Sequence, residues 1–350
     1  MKNYLIIIFI TLLILTSSES SSIQNKSLNK GNQKMNQSIL KDKPSFNLKI
    51  SADNAYFEIN VNGVQQIEDF SELPIDLNYP LNGYITNGEN EISVLLSDTK
   101  KNNAKFTVTL FVRKFNDFTT PSQDILTLSY DQSKQEPFEL TTKAGHYSEK
   151  NNFLPSSDGK VTIGVPNIII HKKSVIWNRD AKLITLKFSF PNPFPRWKYL
   201  DGEEILAEPY RTLTETKAIE LQKNDAKIQA LYAINREIYN AAKKKDIYTL
   251  MSFFKERNRE MDTAYYRKEG ETATKLRDSL LEVMNNPNME LLERNDKVWE
   301  EKTSLIFRVE ENNKLAYVVN LLTWNYTKGE GSENFEIRFR YEKGKWILTR

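Results

Sequence analysis

The chain has 350 residues, 39% of them hydrophobic and 11% aromatic, with a formal charge of +3 and no cysteine. That length and apolar content accommodate two domains with cores of their own, and the lack of cysteine excludes a disulfide framework, thiolate metal sites, a cysteine nucleophile and lipid attachment through cysteine. Most of the charge lies in Ser21–Lys43, where five lysines stand against Asp42, so the remainder is close to neutral. A near-neutral body offers no basic face to displace counterions from phosphates, which argues against nucleic acid as a partner.

At the start, Lys2 precedes an apolar run from Tyr4 to Leu15 broken only by Thr11, and a Ser-rich stretch follows to Ser22. The run is shorter than the ~20 residues that cross a bilayer. A cationic start, a short apolar centre and small residues predict a cleavable secretion signal over residues 1–22, with Ser18, Ser20 and Ser22 all fitting the cleavage zone. The expected product is an exported protein, periplasmic or secreted, with no integral membrane span after removal of the signal. Residues 23–44, rich in Asn, Gln, Ser and Lys, hold too few apolar groups to offset the entropy of ordering and are expected to form a flexible polar linker. N-glycosylation patterns occur at Asn25, Asn36 and Asn325, but a long secreted chain without cysteine fits a bacterial source better.

Residues 45–190 alternate in polarity, the period of strands with one buried face. Phe57, Ile59 and Val61 alternate with Glu58, Asn60 and Asn62, and Asn62-Gly63 marks a tight turn. The pattern returns at Phe106–Val112 and Ile184–Phe190, with shorter apolar runs at Ile92–Leu96, Ile125–Tyr130, Val161–Val165 and Ile168–Ile170. Seven or more strands without a helix predict an all-β sandwich, since two one-sided sheets bury their apolar faces against each other. Gly88-Glu89-Asn90-Glu91-Ile92-Ser93-Val94 resembles a passage of immunoglobulin-like and jelly-roll accessory modules of exported proteins. The two histidines of the chain, His146 in a polar loop and His171 at a strand end, lack the companions that a metal site needs. No metal and no cofactor is expected.

Three prolines in Pro191–Trp197 cannot continue a central strand, and residues 191–211 read as a Pro-rich hinge. Phe194, Trp197 and Tyr199 in it are expected to pin the hinge against a neighbouring domain, with a sugar-stacking platform as the alternative. Over residues 212–350 the period changes. Thr212 with Glu215 suggests a capping box, and Ile228, Leu231, Ile234, Ile238 and Ala241 form a helical stripe that ends at Lys243-Lys244-Lys245. Asp246 suits the cap of a second helix, and a third helical stretch is expected from Arg257 to Met284. Alternation then resumes, with Phe335, Ile337, Phe339 and Tyr341 opposing Glu336, Arg338, Arg340 and Glu342 before a Lys343-Gly344 turn. Helices followed by antiparallel strands predict an α+β domain.

Ala241–Phe254, together with Tyr341–Leu348, resembles the NTF2-like (cystatin-like α+β) superfamily. The resemblance implies a cone of curved sheet and helices around a pocket that is catalytic in some members and a docking surface in others. In such a pocket Asp262, Tyr265 and Tyr266 offer a carboxylate and phenols as a ligand-binding set, with Trp299 and Trp324 as apolar walls; a surface Asp beside core aromatics is the plainer reading. The domain has no histidine, and the chain has no Gly-rich phosphate loop, nucleophile elbow or paired metal motif. The expectation is a non-enzymatic exported protein that docks a protein partner in the cell envelope, as an accessory component or an immunity-type inhibitor. A ligand or enzymatic pocket in the second domain, and carbohydrate or cell-wall binding through the first, are the alternatives.

Overall fold

The computed structural model describes residues 43–350 apart from 70, 72, 98–102, 120, 135–137, 143–144, 149–159, 163–166, 177–178, 191, 209, 211–212, 294–306 and 330. The segment expected to be a secretion signal, most of the expected polar linker, Thr212 and Trp299 therefore lie outside the described residues.

Alternation yields strands throughout the first half. In chain order these are β1 (Pro44–Asp53), β2 (Tyr56–Val61), β3 (Val64–Asp69), β4 (Ile75–Pro80), β5 (Gly88–Ser97), β6 (Lys105–Lys114) and β7 (Gln123–Asp131). They continue as β8 (Phe138–Thr142), β9 (Gly145–Ser148), β10 (Lys160–Thr162), β11 (Asn167–Ile176) and β12 (Arg179–Phe190). Two six-stranded antiparallel sheets result, ordered β4-β1-β6-β7-β8-β9 and β10-β11-β12-β5-β2-β3. Phe46, Leu48 and Ile50 of β1 and Phe106, Val108 and Leu110 of β6 share one core with Phe57 and Ile59 of β2 and Ile92 and Val94 of β5. The rings of Phe57 and Phe106, 5.0 Å apart, join the two layers. Asn62 and Gly63, both left-handed at φ 51° and 69°, close the β2–β3 hairpin with the backbone twist that a two-residue turn requires. The first histidine differs from expectation: His146 lies in β9, opposite Thr141 of β8, rather than in a loop. His171 lies within β11, so the two histidines belong to different sheets.

The second half contains five α-helices among the described residues: α1 (Glu215–Asn224), α2 (Ala226–Lys243), α3 (Ile247–Phe253), α4 (Lys255–Ala264) and α5 (Glu271–Asn285). Side-chain caps that satisfy orphan amides set the starts of α1, α2 and α3. Thr214 caps α1 by accepting from the Lys217 amide, so the first helix starts two residues later than Thr212 suggests, and Glu215 is its first residue. Asp225 then separates α1 from α2 and caps α2 through the Ile228 amide, and Asp246 caps α3 through that of Thr249. The stretch from Arg257 to Met284 is two helices, not one. The chain turns with Tyr266 at φ 52° and Gly270 at φ 84°, and the Asp262 carboxylate fixes the break by accepting from the amides of Gly270 (2.7 Å) and Thr272 (2.8 Å).

The remaining strands are β13 (Met289–Leu291), β14 (Phe307–Val309), β15 (Leu315–Val318), β16 (Leu322–Tyr326), β17 (Ser332–Phe335), β18 (Phe339–Glu342) and β19 (Lys345–Leu348). They divide into two antiparallel sheets, β13-β16-β17 and β14-β15-β18-β19. The division falls where Asn320, at φ 54°, breaks the apolar passage from Tyr317 to Trp324. Ile228, Leu231 and Ile238 of α2 meet Leu250, Phe254, Leu280, Leu322, Phe339 and Leu348 in a second core. The Trp346 indole donates to the Lys227 carbonyl at 2.8 Å and ties β19 to α2.

Candidate functional site

Of the residues singled out by the sequence, Asp262, Tyr265 and Tyr266 come together at the end of α4. Asp262 is buried, and both of its oxygens are engaged by the two amides at the start of α5. Tyr266 donates its hydroxyl to the Pro44 carbonyl (3.1 Å) and packs against Phe115 and Phe194, at 5.2 and 6.0 Å between ring centres. Burial raises the pKa of its phenol, and that of Tyr265 is pushed up to about 12 by the same cause. Trp324 is elsewhere, in the second core and edge-on to Phe335 at 5.7 Å.

Asp262, Tyr265 and Tyr266 stand at the junction between the two halves, which the hinge sequence builds. Phe194, Trp197 and Tyr199 are buried in the first core, Trp197 at 1% exposure, which withdraws them from any sugar-stacking role. The Trp197 indole donates to the Ile85 carbonyl at 2.7 Å, and Asn192 donates to that of Thr86 at 2.9 Å. A few residues on, Ile205 and Leu206 join the second core, and the amides of Glu203 and Ile205 donate to the carbonyls of Tyr341 and Asn313. Fully buried Asn82 bridges the halves directly, accepting from the Phe46 amide and donating to the carbonyls of Pro44 and Ala264 (2.9 Å).

A second bridge receives the β2–β3 hairpin. Asn312 donates its amide to Gly63 and its side chain to Asn62. The buried Glu310 carboxylate accepts from the Gln65 amide at 2.9 Å and pairs with Arg338, which also donates to the Gln65 carbonyl (3.0 Å) and pairs with Glu336 (2.9 Å). Burial works against the Arg338 charge, but these carboxylates hold it well above the usual arginine range. Arg340, likewise buried, pairs with Glu256 and Glu342. Arg338 and Arg340 were expected on the solvent face of one continuous strand. The structure instead buries both at 6% and 3% exposure, because Arg338 meets Gln65 of the first half while its backbone pairs with Thr349 and Arg350, and Arg340 is held by Glu256.

Beside this lock lies a cluster of cations that the sequence does not announce. The guanidinium of Arg350, buried, reaches Glu260 (2.5 Å) and the Gly83 carbonyl (2.9 Å) and lies over the rings of Tyr199, Trp197 and Tyr84 at 4.3, 5.6 and 5.7 Å. Half-buried Arg267 lies over the Tyr265 ring at 5.3 Å, and half-buried Arg257 lies one helical turn before Met261, whose side chain lies against Gly83. Burial first, and then the positive charges of Arg350 and Arg267, lower the Arg257 pKa, although a guanidinium still remains charged at neutral pH.

No group of metal-ligating side chains occurs among the described residues, and none of their helices is long and apolar enough to cross a membrane. Comparison with protein-family models, curated proteins and solved structures finds no match.

Proposed function

We propose that the chain is an exported, non-enzymatic binding protein that docks a protein partner in the cell envelope. In this reading the two-layered first half is an immunoglobulin-like or jelly-roll sandwich, the second half is an NTF2-like α+β unit, and both take part in docking. The observation that carries the proposal is the engagement of two of the ligand-binding candidates, Asp262 and Tyr266. Both oxygens of Asp262 are taken by backbone amides and the Tyr266 hydroxyl by a carbonyl, which leaves no free acid–base pair there. Support for docking comes from Phe118 and Tyr248, which stand out at 68% and 87% exposure as aromatic anchors of the kind that dominate interfaces. The buried junction fixes the two halves in one arrangement, which favours binding by lowering its ordering cost.

Capture from an envelope extract with the purified chain tests this. One stoichiometric partner is expected, lost on Tyr248→Ser or Phe118→Ser in variants whose circular dichroism is unchanged. Absence of a stoichiometric partner, or capture indifferent to both substitutions, overturns it.

A further inference from the structure

We infer that Arg257, Arg267 and Arg350, with the phenols of Tyr84 and Tyr265, form a binding site for an oxyanion, a phosphate or carboxylate group, at the junction of the two halves. This does not rest on the partner reading.

Three guanidiniums share very little negative charge. Glu260 pairs with Arg350, but its other oxygen accepts from the Lys198 amide at 3.0 Å. Glu256 is used by Arg340 and Lys198, and Asp262 by two amides. Arg257 makes no ion pair and no ring contact among the described residues; its one side-chain hydrogen bond goes to Asn258 at 3.1 Å. Arg267 likewise spends one donor on Thr272, at 3.1 Å. Stacking on aromatic rings accounts for Arg350, and no such explanation covers Arg257. Like charges gathered at a half-buried place repel, and an oxyanion seated between them removes that cost while the forked guanidinium matches its geometry.

The donors at this place are also unspent. Arg350 Nε is buried with no hydrogen-bond partner, which is costly for a charged group. The hydroxyls of Tyr84 and Tyr265 make no hydrogen bond among the described residues, and both side chains are half-buried, so water or a small anion reaches them. Arg257 and Tyr265 lie one turn either side of Met261, whose side chain lies against Gly83 next to Tyr84, and Arg350 donates to that Gly83 carbonyl; phenols and guanidiniums gathered in this way are the donor set that an oxyanion needs. Metal chemistry is not involved, since the site is cationic.

The test uses the full chain, titrated separately with inorganic phosphate and with citrate at an ionic strength held constant with NaCl, and reads the thermal midpoint. At least one anion is expected to raise the midpoint saturably, and the tighter of the two assigns the group as phosphate or carboxylate. Arg257→Gln with Arg267→Gln is expected to weaken binding by about tenfold or more, because two charge-assisted contacts are lost. Tyr84→Phe with Tyr265→Phe keeps both rings packed and is expected to weaken it about threefold or more; this pair decides the matter if the arginine variant does not fold. No saturable shift with either anion, or shifts of equal size in a folded variant and the native chain, overturns the proposal. A chain that binds phosphate or citrate but captures no protein sinks the docking reading and leaves this one standing.

Discussion

The guanidinium carbon of Arg350 lies 4.3 Å from the centre of the Tyr199 ring, so a residue of the second half is seated on the hinge aromatic of the first core. The same guanidinium donates to Gly83, beside Tyr84, whose carbonyl accepts the Tyr199 hydroxyl at 3.2 Å. Arg350→Ala removes the cation and leaves Glu260 short of its partner in a half-buried setting, an expected loss of about 3–5 kcal/mol. Tyr199→Phe keeps the ring under the cation and is expected to cost only about 1 kcal/mol. Urea denaturation of the two variants measures the contrast, and equal losses contradict the seating.

Glu310 and Arg338 form the other lock. Breaking a buried pair by removing one member strands a charge, so Glu310→Gln or Arg338→Met alone is expected to lose about 3–5 kcal/mol, whereas the double substitution recovers a large part of it. A double-mutant cycle in urea measures the coupling, and additive losses would show that the two residues act separately.

Gly63 and Gly344 both sit at positive φ, 69° and 79°, and differ in what surrounds them. A Cβ on Gly63 would come within 2.6 Å of the Asn312 Cβ, across the junction, whereas on Gly344 it would meet nothing within 4 Å. Gly344→Ala therefore carries only the left-handed penalty of about 1–2 kcal/mol, and Gly63→Ala is expected to cost clearly more, because backbone must also move. Thermal midpoints of the two variants give the comparison.

Glu256 supplies a pH dependence. Burial disfavours its charge, but the hydrogen bonds and charges of Arg340 and Lys198 outweigh that and hold its carboxyl below 4.5, its ordinary value. A depressed folded pKa gives stability that is present above the unfolded value and lost as pH falls through the folded one. Glu256→Gln is thus expected to be less stable than the native chain at pH 7, with the gap closing as the pH is taken below 4.5. Unfolding midpoints across that range check it, and a gap that widens in acid contradicts it.

Much of the fold is legible in the sequence, for physical reasons. The alternation at Phe57–Val61 and Phe106–Val112, the left-handed pairs Asn62-Gly63 and Lys343-Gly344, and the cap at Asp246 are local signals, each set by residues within a few positions. The hinge aromatics are legible too, since Phe194, Trp197 and Tyr199 gain most from burial. The break after Ala264 is not, because the carboxylate that makes it comes from Asp262, eight and ten residues before the amides it binds. The junction is hidden for a stronger reason. Arg338 and Arg340 alternate with apolar residues as surface cations do, and only contact with Gln65, far away in the chain, turns Arg338 inward. Nothing near Asn82 in sequence shows that it reaches Ala264, and Arg257, Arg267 and Arg350 come from three separate segments.

Buried polar contacts lock the two halves into one body and hold the arginine cluster in place. Scanning calorimetry of the full chain is expected to give a single transition whose calorimetric and van't Hoff enthalpies agree, whereas two separable transitions in the native chain would mean that the halves unfold independently and are not locked.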